Sequence, residues 1–355
     1  MTDIFLKIDR QLNKKQPFCV YRKPGSKIVI GIFQEDTLSY SNKTFTEDGF
    51  VFAPFQDKKN IFIPSAKATI ITTKTDEETT QVAEPYMPAV NENDKIKFEK
   101  LVAKSVAAIR SGSFDKVVVS RKEEIVYKKI AINQTLKNLL QTYPNAFCYC
   151  FYHPETDVWM GATPEQLIKI NGSHINTVAL AGTQLYSENK NADWGNKEIQ
   201  EQEFVTQYIT ENLNPYVKDL TTTKPYTYRA GNIVHIKTDI NATLKEPANH
   251  IASVINALHP TPAVCGMPKK AAKEFIKKNE DYNREFYTGF LGETGKDFAI
   301  DAHDNTDLYV NLRCMKIQGN TVQLYIGCGI TKDSDPEKEF LETVNKSITM
   351  RKVIA

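Results

Sequence analysis

The spacing of apolar residues changes along this 355-residue chain, and the changes divide it. Up to about residue 71 apolar residues come in short runs, FCVYRK, SKIVIGIF, GFVFAPF and NIFIPS, separated by polar turns, which predicts short strands. Residues 72 to 93, TTKTDEETTQVAEPYMPAVNEN, form a polar, proline-bearing connector. From 94 the period becomes helical, with Phe98, Leu101, Val102, Ser105 and Ile109 on one face, and the strand FDKVVVS follows. FCYCFYH, VWMGAT, EQLIKI and HINTVAL are joined by links too short for helical crossovers, so they predict an antiparallel meander. Helices are expected at about 195 to 213, 248 to 258, 269 to 279 and 335 to 352, with the strand NIVHIKTDIN and a hairpin turning at Gly319-Asn320 among them. The expected fold is α+β, antiparallel β-sheets flanked by helices. Residues 1–93 make a strand-rich N-terminal part of that fold and 94–355 its main domain.

Composition narrows the function. Lysine plus arginine (45) nearly balance aspartate plus glutamate (43), so no global field recruits nucleic acid or an anionic membrane, and a small-molecule partner is favoured. No apolar run approaches the roughly 20 residues that span a bilayer, and the first residues lack a basic segment followed by an apolar one. A cytoplasmic location is the expectation. Six scattered cysteines without a CxxC pair read as reduced, buried small hydrophobes.

Two acidic pairs raise a chemical question. Glu198 and Glu201, in KEIQEQEFV, and Glu339 and Glu342, in PEKEFLETV, each sit three residues apart and so share a helix face. Solvated helix faces are the ordinary explanation for such charge. Both helices are amphipathic, however, and the acids flank the apolar side. Four converging carboxylates would repel unless a hard divalent cation sat among them, and Mg2+ suits one or two protein carboxylates completed by water and a substrate anion. The chain carries no P-loop pattern, which argues against a nucleotide as that anion.

Lys116 heads the apolar strand KVVVS, where it either snorkels or acts as a general base with its pKa lowered by burial and nearby cations. Glu165 sits on a Gly-Ala-Thr-Pro turn, either solvated or held in a pocket as an acid of raised pKa. Such a base and acid on opposite sides of a ring would suffice to add water and expel hydroxide.

These residues carry a resemblance. In KVVVSR, GATPEQL, ALAGT, KEIQEQEFV, IVHI, LHPTPAVCGMPK, REFYTGFLG, YVNLR and YIGCGITKDSDPEKEFLETVNKS, in that order, the chain from about 94 resembles the chorismate-utilising enzymes, the family of anthranilate, aminodeoxychorismate, isochorismate and salicylate synthases. The resemblance implies the anthranilate synthase large-subunit fold, with 94–355 the chorismate-binding catalytic domain. It implies a magnesium ion on the substrate's ring carboxylate, bound by Glu201 and Glu342 with Glu198 and Glu339 adjacent or acting through water. It implies substrate contacts from Arg313, Tyr287, Lys346, Gly182, Thr183 and the backbone at Gly327 and Gly329, and an orienting role for His235.

Within the family, Ala181 replaces the nucleophilic lysine of aminodeoxychorismate synthases. Lys116, with no Leu-Leu-Glu-Ser motif, departs from anthranilate synthases, so no glutaminase subunit is expected. Ala263 stands where salicylate synthases carry threonine. Gln202 and Cys265 replace a family histidine and glycine. The resemblance therefore implies an isochorismate synthase serving menaquinone or siderophore biosynthesis, a monomer or weak homo-oligomer. A salicylate synthase and a non-catalytic metal- or metabolite-binding homologue remain the alternatives.

Overall fold

The computed structural model describes the chain apart from residues 57–58, 76–89, 186–191 and 231–232. Most of the polar connector thus lies outside the described residues. Seven helices are described: α1 (Thr2–Lys14), α2 (Glu92–Arg110), α3 (Ile132–Thr142), α4 (Asn196–Leu213), α5 (Pro247–Leu258), α6 (Lys269–Asn279) and α7 (Pro336–Arg351). They flank two nine-stranded sheets whose strand pairs are antiparallel. The first sheet runs Gly266–Met267, Lys116–Val126, Thr321–Ile330, Cys314–Gln318, Asp157–Thr163, Phe147–His153, Phe18–Arg22, Ile28–Gln34, Ala68–Lys74. The second runs Val217–Thr222, Ile233–Leu244, His174–Leu185, Gln166–Asn171, Asn305–Val310, Phe290–Thr294, Gly49–Ala53, Ile61–Pro64, with Tyr226–Ala230 also paired to Ile233–Leu244. The first 75 residues supply strands to both sheets.

Several strands read as unbroken apolar runs because both of their faces are covered. Along Phe18–Arg22 the side chains of Cys19 and Tyr21 enter the layer between the sheets, with Phe50, Phe52, Tyr149 and Trp159, while Phe18 and Val20 pack under Ile4, Ile8, Leu136 and Leu139 of α1 and α3. Phe147–His153 divides the same way, Tyr149 and Phe151 inward, Cys148 and Cys150 toward the helices. All six cysteines are buried and free.

The helices expected between 94 and the C-terminus are present within a residue or two of their expected bounds, as is the Gly319-Asn320 hairpin. Helices α1 and α3 were not anticipated, and the expected four-stranded meander is corrected. Phe147–His153 pairs with Asp157–Thr163 in the first sheet, and Gln166–Asn171 with His174–Leu185 in the second. Between Thr163 and Gln166 the chain crosses from one sheet to the other.

α7 rests on the first sheet through Phe340 and Val344, each buried and contributing roughly 1.5–3 kcal/mol. Asp335 caps its N-terminus, its carboxylate accepting from the Lys338 N–H at 3.0 Å, and Pro336 occupies the first turn. α4 instead packs on the second sheet through Val205, Ile209 and Leu213.

Candidate active site

Two crossings between the sheets run side by side and each delivers one candidate residue. One passes through Glu165; the other, between Val310 and Cys314, passes through Arg313. The Val310 N–H donates to the Glu165 carbonyl at 2.9 Å, the Thr163 hydroxyl to the Val310 carbonyl at 2.6 Å, and the Ala162 N–H to the Arg313 carbonyl at 3.0 Å. Arg313 holds a left-handed backbone, φ 47°, a conformation costing about 1–2 kcal/mol in a residue with a Cβ. Gly161 makes the approach possible, since a Cβ there would lie 3.1 Å from the Arg313 carbonyl oxygen.

Glu165 is half-buried. Burial pushes its carboxyl up to about 7, against the opposing pull of Arg313 and Lys116. No hydrogen bond reaches that carboxyl among the described residues, so its oxygens remain available to a ligand.

Lys116 starts the Lys116–Val126 strand and is held from two sides. Gly266–Met267 pairs with Lys116 and Val117, and a Cβ on Gly266 would come within 2.3 Å of the Lys116 carbonyl oxygen. On the other flank the lysine stem lies over Gly329, where a Cβ would sit 3.1 Å from Lys116 Cε and 3.7 Å from Nζ. A Cβ on Gly327 would be 2.7 Å from the Tyr287 hydroxyl. Both glycines therefore leave room for neighbouring functional groups. Ala263 is half-buried in the turn that leads to Gly266.

Lys346 of α7 pairs with Glu342 at 2.5 Å and donates to the Gly327 carbonyl at 3.0 Å. With Tyr287 and Arg313 it lines a small cavity that also includes Tyr325 and Ser347. Tyr325 was not anticipated. It stacks on Tyr287 with centroids 5.7 Å apart, and in sequence it is one aromatic residue in a strand of apolar ones.

The carboxylate pairs occupy two helices on different sheets. On α7 burial raises the Glu339 pKa, opposed by the Ser334 hydroxyl that donates to it at 2.7 Å and assisted by the like charge of Glu342. On α4 Glu198 adjoins Gly182, whose added Cβ would lie 3.2 Å from the Glu198 Cβ, while Glu201 is half-buried one turn on. Gln202 is buried and donates to Thr238 at 2.6 Å and Thr206 at 2.9 Å, fixing α4 to the Ile233–Leu244 strand. Among the described residues no three His, Cys, Asp or Glu side chains are grouped closely enough to hold a metal ion. Each pair does offer hard carboxylate oxygens, the donor type magnesium takes one or two of from a protein, with Lys346 paired to Glu342 and its charge also acting on Glu339.

Gly182, at φ 68°, lies where the register of His174–Leu185 against Ile233–Leu244 shifts, and the irregularity turns its carbonyl toward His235 Nδ1 at 2.9 Å. That contact places the proton on Nδ1. Burial lowers the His235 pKa; the Gly182 carbonyl opposes this, and the charges of Arg313 and Lys346 add to it. The side chain of Thr183 lies outside the described ones.

Residues 45–355 match the family described as chorismate binding enzyme. The chain belongs to that family. Isochorismate synthase MenF of Escherichia coli is 29% identical over 271 residues, a match covering 74% of this chain and 61% of the relative. Isochorismate synthase MenF of Bacillus subtilis is 30% identical over 276 residues, covering 74% and 56%. The matched region thus spans about three fifths of the length of these relatives. In fold, this chorismate binding enzyme is similar to the solved structure of MenF, the menaquinone-specific isochorismate synthase from Escherichia coli, with a TM-score of 0.77 and 20% identity over 95% of this chain and 88% of that one. No helix among the described residues is long and apolar enough to cross a membrane.

Proposed function

We propose that the protein is a magnesium-dependent isochorismate synthase acting on chorismate in the cytoplasm without a glutaminase partner. The observation that carries the reading is Glu165: a carboxyl titrating near 7, open to a ligand, with Lys116 and Arg313 close enough to act on its charge. A carboxylic acid that stays half-protonated at neutral pH is suited to donate a proton to a leaving hydroxyl.

Lys116 takes a proton from water as the water oxygen bonds to C2 of the substrate ring. The ring double bonds shift, the C4–O bond breaks, and Glu165 protonates the departing hydroxyl, which leaves as water. One water enters and one leaves, so the product is an isomer. Arg313 grips a substrate carboxylate through its planar fork, and Lys346 and Tyr287 contribute at the same wall. His235, its Nδ1–H committed to the Gly182 carbonyl, is held in one ring orientation and would help orient the bound ring. Glu201 and Glu342 would hold magnesium, with Glu198 and Glu339 beside them or acting through water. Bound magnesium supplies positive charge to the ring carboxylate of the substrate. Ala263 offers a methyl where a hydroxyl would be needed to polarise the enolpyruvyl group, which supports release of isochorismate rather than elimination to pyruvate. Menaquinone or siderophore synthesis would consume the product.

The test is incubation with chorismate and magnesium, with chromatography of the products and a coupled assay for pyruvate. Isochorismate with little pyruvate is expected, and activity is expected to fall after EDTA treatment. Stoichiometric pyruvate and salicylate would overturn the assignment.

A further inference from the structure

Arg284 is not one of the groups assigned above, yet it is among the largest fully buried side chains. Its guanidinium has five N–H groups and each has a partner. Nε donates to Glu280 Oε2 at 2.8 Å; Nη2 donates to Glu280 Oε1 at 2.5 Å and to the Val118 carbonyl at 2.7 Å; Nη1 donates to the Val264 carbonyl at 3.1 Å and the Thr288 hydroxyl at 3.2 Å. The plane is enclosed by Phe55, 4.6 Å from its central carbon to the ring centroid, and Tyr287 at 5.7 Å.

Besides Glu280, these acceptors come from three separate pieces of the site wall. Val118 is two residues along the strand from Lys116. Val264 follows Ala263 directly, and the next carbonyl, Cys265, accepts from the Val118 N–H at 2.9 Å. Thr288 follows Tyr287 and passes the connection on, its hydroxyl donating to the Tyr287 carbonyl at 2.6 Å. Glu280 extends the network, since its Oε1 also accepts from the Ser120 N–H and hydroxyl, both at 2.8 Å. With the Ser120 proton so used, the Tyr282 hydroxyl is the donor in its 2.7 Å contact with Ser120. Ser120 sits opposite Gly327, whose carbonyl receives Lys346.

Resting on the isochorismate synthase reading, we propose that Arg284, with Glu280 as its counter-charge, is a positioning residue that holds the Lys116 strand, the Ala263 turn and the Tyr287 loop in one fixed geometry. A buried ion pair is weak as a source of stability, because desolvation offsets most of its attraction. Its distinctive property is that a planar five-donor fork can satisfy five acceptors from four chain segments in one arrangement, which a lysine with three donors on a flexible stem cannot do. The fork itself makes no hydrogen bond to Arg313 or Lys346, the two cations proposed to grip the substrate, whereas it bonds directly to the strand that carries Lys116. The clamp therefore acts on the placement of the base, and its loss is read in turnover before binding.

The experiment compares Arg284→Lys and Ser120→Ala with the unmutated protein by kcat, KM for chorismate, calorimetric chorismate affinity and thermal melting. Arg284→Lys should lower kcat about 10²-fold, the scale of a 1 Å misplacement. Ser120→Ala, a small change at the network's edge that keeps the fork, should lower it about tenfold, close to the loss of one charge-assisted hydrogen bond. In both, KM and affinity should stay within about a factor of three, the split that marks loss of an interaction serving the reaction step. Should Arg284→Lys fail to fold, Ser120→Ala alone decides. Folded variants with unmutated kcat, or with a loss confined to KM, overturn the clamp while leaving the isochorismate synthase reading intact. An unmutated protein that makes no isochorismate overturns that reading, and the clamp with it.

Discussion

Two glutamates, Glu165 and Glu293, share one electrostatic fate in two different settings. Burial pushes each carboxyl up to about 7. Glu293 lies between the sheets with its oxygens taken: Tyr21 donates to one at 2.5 Å, and Lys23 pairs with the other while also reaching Asp297 at 2.8 Å and Asp307 at 3.8 Å. Glu165 has two cations in electrostatic reach but no hydrogen bond to its carboxyl among the described residues. The settings even adjoin, since Gln166, the next residue, donates to Asp307 at 2.7 Å. A raised pKa therefore marks burial in both. Availability to a ligand separates the candidate acid from the structural one.

The comparison breaks most visibly in activity. Glu165→Gln and Lys116→Gln should each lower kcat by roughly 10²- to 10⁴-fold with little change in melting temperature. Steady-state kinetics on folded protein checks this, and near-normal turnover in either variant would remove that residue from the mechanism. Glu293→Gln should do the converse. Lys23 keeps Asp297, so the expected cost is about 1–3 kcal/mol of stability, read by denaturant melts, with kcat preserved.

Next in size is the pH dependence. Each carboxyl has a folded pKa above its unfolded one, so each binds its proton more tightly when folded. The stability it contributes is present in full below about 4.5 and is lost as pH rises through about 7. Replacing either glutamate by glutamine should flatten that part of the stability curve. Only Glu165 should also appear in turnover, with kcat falling as pH rises through about 7 in the unmutated enzyme and in Glu293→Gln. A kcat profile flat from pH 5 to 9 would remove the acid role from Glu165.

Glu342→Gln or Glu201→Gln should raise the magnesium requirement, whereas Glu337→Gln, exposed and paired to Lys95 at 2.9 Å, should change it little. Titration of activity with magnesium separates them. The smallest effect is expected from Ala263→Thr: a modest rise in the pyruvate fraction, at some cost in turnover from crowding. An unchanged product ratio would detach Ala263 from product choice.

How much of this was legible in the sequence depended on how local the cause was. Helical and strand periods are properties of consecutive residues, so α4 to α7 and the Gly319-Asn320 hairpin could be read directly. The crossing at Pro164-Glu165 could not. Strand-like sequence lies on both sides of it, and the change of sheet is set by pairing with residues 305–318, far along the chain. α3 is hard to read because its apolar residues, Leu136, Leu139 and Leu140, make a narrow stripe within INQTLKNLLQT, and α1 because the exposed Leu6 beside buried Ile4 and Ile8 blurs the stripe. At the site, Lys116 and Glu165 announced themselves as charges in apolar or turn settings. Arg284 did not, because its meaning lies in five acceptors drawn from residues 118 to 288. The two acidic pairs were visible as spacing, while their separation onto helices packed on different sheets required the fold.

The central claim is that water, deprotonated at Lys116, becomes the new hydroxyl while Glu165 releases the old one. Mass spectrometry of isochorismate made from unlabelled chorismate in oxygen-18 water tests it most directly. The account predicts one heavy oxygen in the product, at C2, in every molecule formed. Unlabelled isochorismate would mean that the hydroxyl migrates within the substrate, and would contradict the assignment of both residues.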